Sequence, residues 1–194
     1  MAYRDSVDAF TSAAKACGVA YEVDVPSTDE DKDLLGRAFN GELAEGILAH
    51  GYAGGSDIPW TAEEFSLYRF GEIESRQMGY RTDGRTGAVS STWDPNKYVI
   101  GDWTGNPISI DQEGGISYSR HGMGTWRYVR IAKDLAAFLG VLGTWMAFFI
   151  VDNKRNIFND DFEIGEETMA RIKKDVLNGL DDEEKYGFVK FLIG

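Results

Sequence analysis

The residues of this chain that could do chemistry crowd around one stretch, residues 98–111, "YVIGDWTGNPISID". Asp102 with Asn106, and Asp111 with Glu113 just beyond, are spaced like the side-chain pairs that hold a metal ion or pass a proton. His121, in "SRHGMG", adds an imidazole farther along. A hydrolase using Asp102, Asp111 and His121 is the enzyme those groups would build, and it requires that they converge on one point. The glycines of "GDWTGN" suggest a phosphate loop, but neither G-x-x-x-x-G-K-[ST] nor G-x-G-x-x-G is formed there. The other reactive side chains stand alone. His50 lies in a different segment, and the single cysteine, Cys17, has no histidine beside it to activate it.

The same residue types are also the ordinary chemistry of turns. Ile108 and Ile110 alternate with Ser109 and Asp111, and after "DQEGG" Ile116 and Tyr118 alternate with Ser117 and Ser119, the period of half-buried strands. "KYVIGDW" is a third apolar run upstream. A meander of short strands follows, with "DWTGN" and "DQEGG" as its reversals. In that setting the aspartates end strands, and Trp103 at the turn becomes a candidate contact for a partner protein. Trp60, Trp93 and Trp126 also fall at strand ends or in loops, where a tryptophan either covers the core edge or anchors a partner; Trp93 is assigned to the core.

Helices must flank these strands. Val7, Phe10, Ala14 and Cys17 have helical spacing in the first segment. Residues 22–33, "EVDVPSTDEDKD", hold six acids around Pro26 and form a solvated connector into a helix capped near Ser27 or Thr28. That helix is expected to run through "LLGRAFNGELAEGILAHGY", weakened by Gly36, Gly41 and Gly46. The segment 66–129 should supply the strands. Residues 135–151, "LAAFLGVLGTWMAFFIV", read as a buried helix covered on most sides. Met169, Ile172, Val176 and Leu180 continue the helical pattern, and Asp181 with Glu184 resembles a capping box opening a last helix. The expected fold class is α+β, a single domain over residues 1–194 with a central antiparallel meander sheet flanked by N-terminal and C-terminal helices.

Composition narrows the function. With 32 acidic and 20 basic residues the net charge is -12, which disfavours nucleic acid and favours a basic partner. One cysteine excludes an internal disulfide and a multi-thiolate metal site, and fits a reducing cytoplasm. The first residues lack the pattern of a signal peptide, and the 135–151 run is short for a membrane span and broken by Gly140 and Gly143.

The segment "WDPNKYVIGDWTGNPISIDQEGGISYSRHGMGTW" followed by "RYVRIAKDLAAFL" resembles the SUKH superfamily, in particular its Smi/Knr branch, named for a fungal cell-wall-assembly regulator. The matching features are Trp93 ahead of a strand, the "YVIGD" strand, a glycine turn, the "NPISID" and "GGISYSRHG" strands, and a helix beginning near "IAKDLAAFL". Upstream, "ILAHGYAGGSDIPW" is similar to the family's helix with its small-residue turn, and "EFSLYRFGEI" to its first strand. The likeness covers about residues 34–142, with 143–194 as a C-terminal helical extension. It implies a binding fold without catalytic residues and without a cofactor. It also implies an immunity protein that binds and neutralises a cognate toxin, often a nuclease, or else a regulatory or scaffolding interaction domain. The expected partner is a basic toxin domain, and the expected contact residues are Asp102, Trp103, Asn106, His121 and Trp126, with exposed aromatics set in an acidic rim.

Overall fold

The computed structural model describes residues 2–193. Its first helix, α1 (Tyr3–Cys17), buries Val7, Phe10 and Ala14 along one stripe and stops at Gly18, whose φ of 69° lets its N–H reach back to Ala14 and Lys15. Helix α2 (Asp29–Ala38) opens on a capping box in which Thr28 and Asp31 satisfy each other's backbone. The single helix expected through His50 is two. The chain breaks at Phe39, which is buried among Tyr52 and Phe70, and Asn40 then caps α3 (Gly41–His50) by accepting the Leu43 N–H at 2.8 Å. A strong cap followed directly by glycine, and a phenyl ring drawn into the core, outweigh continuous helical spacing.

The expected meander is present. Strands β3 (Ser56–Pro59), β4 (Glu64–Leu67), β5 (Lys97–Trp103), β6 (Asn106–Asp111), β7 (Ile116–Tyr118) and β8 (Val129–Ala132) form one antiparallel sheet in chain order. A small ladder of β1 (Glu22–Asp24) with β2 (Tyr52–Gly54) stands beside it. The fold is α+β, as its element order implies.

Alternation gives the sheet two faces. On one, Ile58, Phe65, Leu67, Ile100, Ile108, Ile110 and Ile116 join the main core with the helices. There lies α4 (Leu135–Met146), which continues as a π-helical stretch, Ala147–Asp152, and packs along α1. Residues 135–152 are long and apolar enough to cross a membrane, and 56% of them are buried in the fold. Helix α5 (Glu166–Arg171) also runs into a π-helical turn, Ile172–Val176. The last helix, α6 (Asp182–Ile193), starts at the expected capping box: Asp181 N–H donates to Glu184, and Glu184 N–H to Asp181. Its Gly187 lies so close to the β8 backbone that a Cβ would fall 1.9 Å from the Arg130 carbonyl oxygen. Phe188, Phe191 and Leu192 enter the same core as the sheet, so the C-terminal helices complete the domain.

The opposite face is covered by residues 70–96, where strands were expected. This segment is irregular, with 3-10 turns at Phe70–Glu72 and Ser75–Gln77. It is rich in glycine and charge, and it packs through Trp93 onto Tyr68 and Val99, with Tyr80, Trp126 and Tyr128 around them. Gln77 fixes it to the sheet. Its side chain accepts the Val99 N–H at 3.0 Å and donates to the Val99 carbonyl at 3.0 Å, standing in for a strand partner.

Candidate functional site

The β5–β6 turn is made by Thr104 (φ 53°) and Gly105 (φ 80°), the two left-handed positions of a type I′ hairpin. Asp102 fastens it by accepting the Gly105 N–H at 3.1 Å, and it also accepts the Tyr68 hydroxyl proton. Asn106 is 6% exposed; its Oδ1 accepts the His121 N–H at 2.9 Å and sits 2.8 Å from His121 Nδ1, tying the loop after β7 to the hairpin. Asp111 lies at the far end of β6. It takes Lys97 Nζ at 3.0 Å and the Gly115 N–H at 2.8 Å.

The hydrolase set is therefore not assembled. Asp102 stands opposite Pro107, four residues before Asp111, so the two carboxylates are separated by about 13 Å along the strand. Both hold structural donors. Among the described residues no group of three or more His, Cys, Asp and Glu side chains converges as a metal site. Burial pushes the Cys17 thiol up, with the charge of Asp152 adding to it, the reverse of an activated nucleophile. Burial likewise pushes the Tyr80 phenol up to about 12, and raises that of Tyr68, where the Asp102 carboxylate adds to the effect. Both stay protonated donors at neutral pH.

The expected role of Trp103 as an exposed contact is overturned. The residue is 5% exposed, with its ring edge-on to Phe191 of α6 at 6.3 Å. It pairs with Asn106 inside the ladder and shares the helix-side face with Ile108, so it closes the core. Asn106 is buried too. Of the five expected contact residues, His121 is exposed, Trp126 and Asp102 are half-buried, and the other two face inward. Trp126 packs on Trp93 at 5.1 Å and Tyr80 at 5.7 Å, and Tyr80 donates to the Gly105 carbonyl at 3.3 Å. The expected acidic rim is missing here as well, because residues 68–133 carry nine Lys and Arg against seven Asp and Glu.

The acid excess lies elsewhere. Residues 1–67 hold thirteen acids against four basic residues, and residues 134–194 twelve against seven. One cleft of about 440 Å³ between β1 and the Phe70–Glu72 turn is lined by Glu22, Asp24, Asp31 and Glu72. Its carboxylates have structural partners: Glu22 pairs with Arg69 at 2.8 Å, Asp24 accepts the Phe70 N–H, and Asp31 caps α2. Of the exposed aromatics near acidic runs, Tyr186 follows "DDEEK" and has Lys190 over its ring, whereas Phe162, 87% exposed in "NDDFEIGEE", has only acids as charged neighbours in that stretch. A lone phenylalanine among acids is a signal that sequence reading passed over. No family model, curated protein or solved structure matches this chain.

Proposed function

We propose that this chain is a protein-binding module of immunity type, which captures and neutralises a basic toxin domain in the cytoplasm. The observation that carries the reading is the segregation of charge along the chain: residues 1–67 and 134–194 together carry -14, while 68–133 carries +2. An acidic surface of this kind raises the encounter rate with a basic protein and repels acidic ones. The SUKH-like run of strands adds the class of partner. The polar groups that suggested an enzyme hold the hairpin together instead, with Asp102 on Tyr68 and Gly105, and Asp111 on Lys97 and Gly115.

The test searches the genes neighbouring this one for a basic toxin domain and co-expresses the chain with it; a neighbourhood without any toxin gene counts against the proposal. The expected result is restored growth and a stable complex of the two purified proteins, with an association rate that falls steeply as salt is raised. Unrelieved toxicity together with no complex at low salt overturns the proposal.

A further inference from the structure

Phe162 has the highest exposure among the exposed large apolar side chains, 87%, and its backbone is in the left-handed region at φ 60°. For a bulky residue that conformation is rare, and it is held here by a closed set of hydrogen bonds. Phe162 N–H donates to the Asn159 carbonyl at 3.0 Å, and Asn159 N–H donates to the Glu163 carbonyl at 2.9 Å. The Asn159 side chain accepts the N–H groups of Asp161 at 3.1 Å and Glu163 at 2.9 Å. Below the loop, buried Ile157 and half-buried Phe158 and Ile164 pack into the core. The ring is thus presented on a fixed base.

Its surroundings have one sign. Asp160, Asp161, Glu163, Glu166 and Glu167 occupy residues 159–167 with no Lys or Arg among them. None of the five pairs with a cation among the described residues. Other exposed apolar side chains are less exposed: Met78, Val89 and Met123 lie in the slightly basic span 68–133, Val23 and Val25 are aliphatic residues in the acidic 22–33 connector, and Tyr186 carries Lys190 over its ring. An aromatic carried on an ordered backbone beside a charged rim is the form of a binding hot spot, since a pre-set loop loses little backbone freedom on docking.

We propose that Phe162 is the anchor of the toxin interface. It enters an apolar pocket ringed by Lys and Arg on the basic partner, and Asp160, Asp161 and Glu163 meet that rim. This rests on the immunity reading above and names the surface that carries it.

The experiment compares the full chain with Phe162→Asn, binding each to the purified, catalytically inactivated basic toxin domain of the co-expression test. Asparagine tolerates the left-handed backbone, so an unchanged thermal midpoint is expected. The proposal expects about 30-fold weaker binding, mostly as faster dissociation. A second variant, Asp161→Asn with Glu163→Gln, is expected to slow association and flatten its salt dependence. Equal affinity for the full chain and Phe162→Asn overturns the anchor and leaves the immunity reading standing. Binding by neither overturns both. A chain that self-associates on its own and becomes monomeric as Phe162→Asn assigns the loop to a second copy, which also overturns the proposal.

Discussion

Replacing Gln77 with leucine tests how the irregular segment 70–96 is fixed to the sheet. Gln77 is 4% exposed and its amide makes three bonds: to the Ile73 carbonyl at 2.6 Å, to the Val99 carbonyl at 3.0 Å, and from the Val99 N–H at 3.0 Å. Strand β4 pairs with β5 only at Gly101 and Asp102, and the register slips between Val99 and Gly101. The side chain therefore supplies what a neighbouring strand would have supplied. Leucine keeps the volume and leaves the N–H and the carbonyl of buried Val99 without that partner. Each such group costs about 1–3 kcal/mol, so the expected loss for the two is about 2–6 kcal/mol. For a chain of this length that is a fall of roughly 5–15 °C in the unfolding midpoint. Urea unfolding followed by tryptophan fluorescence measures it, because Trp93 of the same cover packs on that face. A loss under about 1 kcal/mol would show that the Val99 groups are satisfied in another way, and would refute the account of Gln77 as a stand-in strand.

Two further predictions bear on the site and on pH. Trp103→Ala should lower stability by about 3–5 kcal/mol through the cavity left beside Phe191; the folded fraction should bind partner normally, and selective loss of binding in an equally stable variant would restore Trp103 as a contact. Tyr3, Tyr52, Tyr68, Tyr80, Tyr118 and Tyr128 all have phenols raised by burial, Tyr80 to about 12. Their contribution to stability is complete below the free tyrosine value of about 10 and is lost as pH rises through the folded values. Unfolding free energies should thus decline above about pH 10, and tyrosinate absorbance at these six sites should lag behind the rest; a titration in which every phenol ionises at the free value without unfolding would contradict the burial.

Much of the local architecture was legible because its causes are local. The Thr28–Asp31 and Asp181–Glu184 capping boxes open the helices that their residue types announce. The Ile108–Ile110 and Ile116–Tyr118 alternations became β6 and β7, and "DWTGN" became the turn of the β5–β6 hairpin. Each depends on residues within a few positions of one another, where propensity and hydrogen-bond chemistry act alone. The irregular segment 70–96 could not be told apart within the strand-rich span 66–129, because its structure is set by contacts of Trp93 and Gln77 with a distant β5.

The fate of the opening stretch shows where sequence stops. Its residue types alone determined a strand, a turn and a strand. They could not decide which way Trp103 points. That was settled by α6, far along the chain, whose Phe191 packs against the indole and buries it, while the ordered loop 159–163 leaves Phe162 in solvent. Burial belongs to the assembled layers: a face becomes interior only when another element is laid over it, and nothing in the residues of that face names the element.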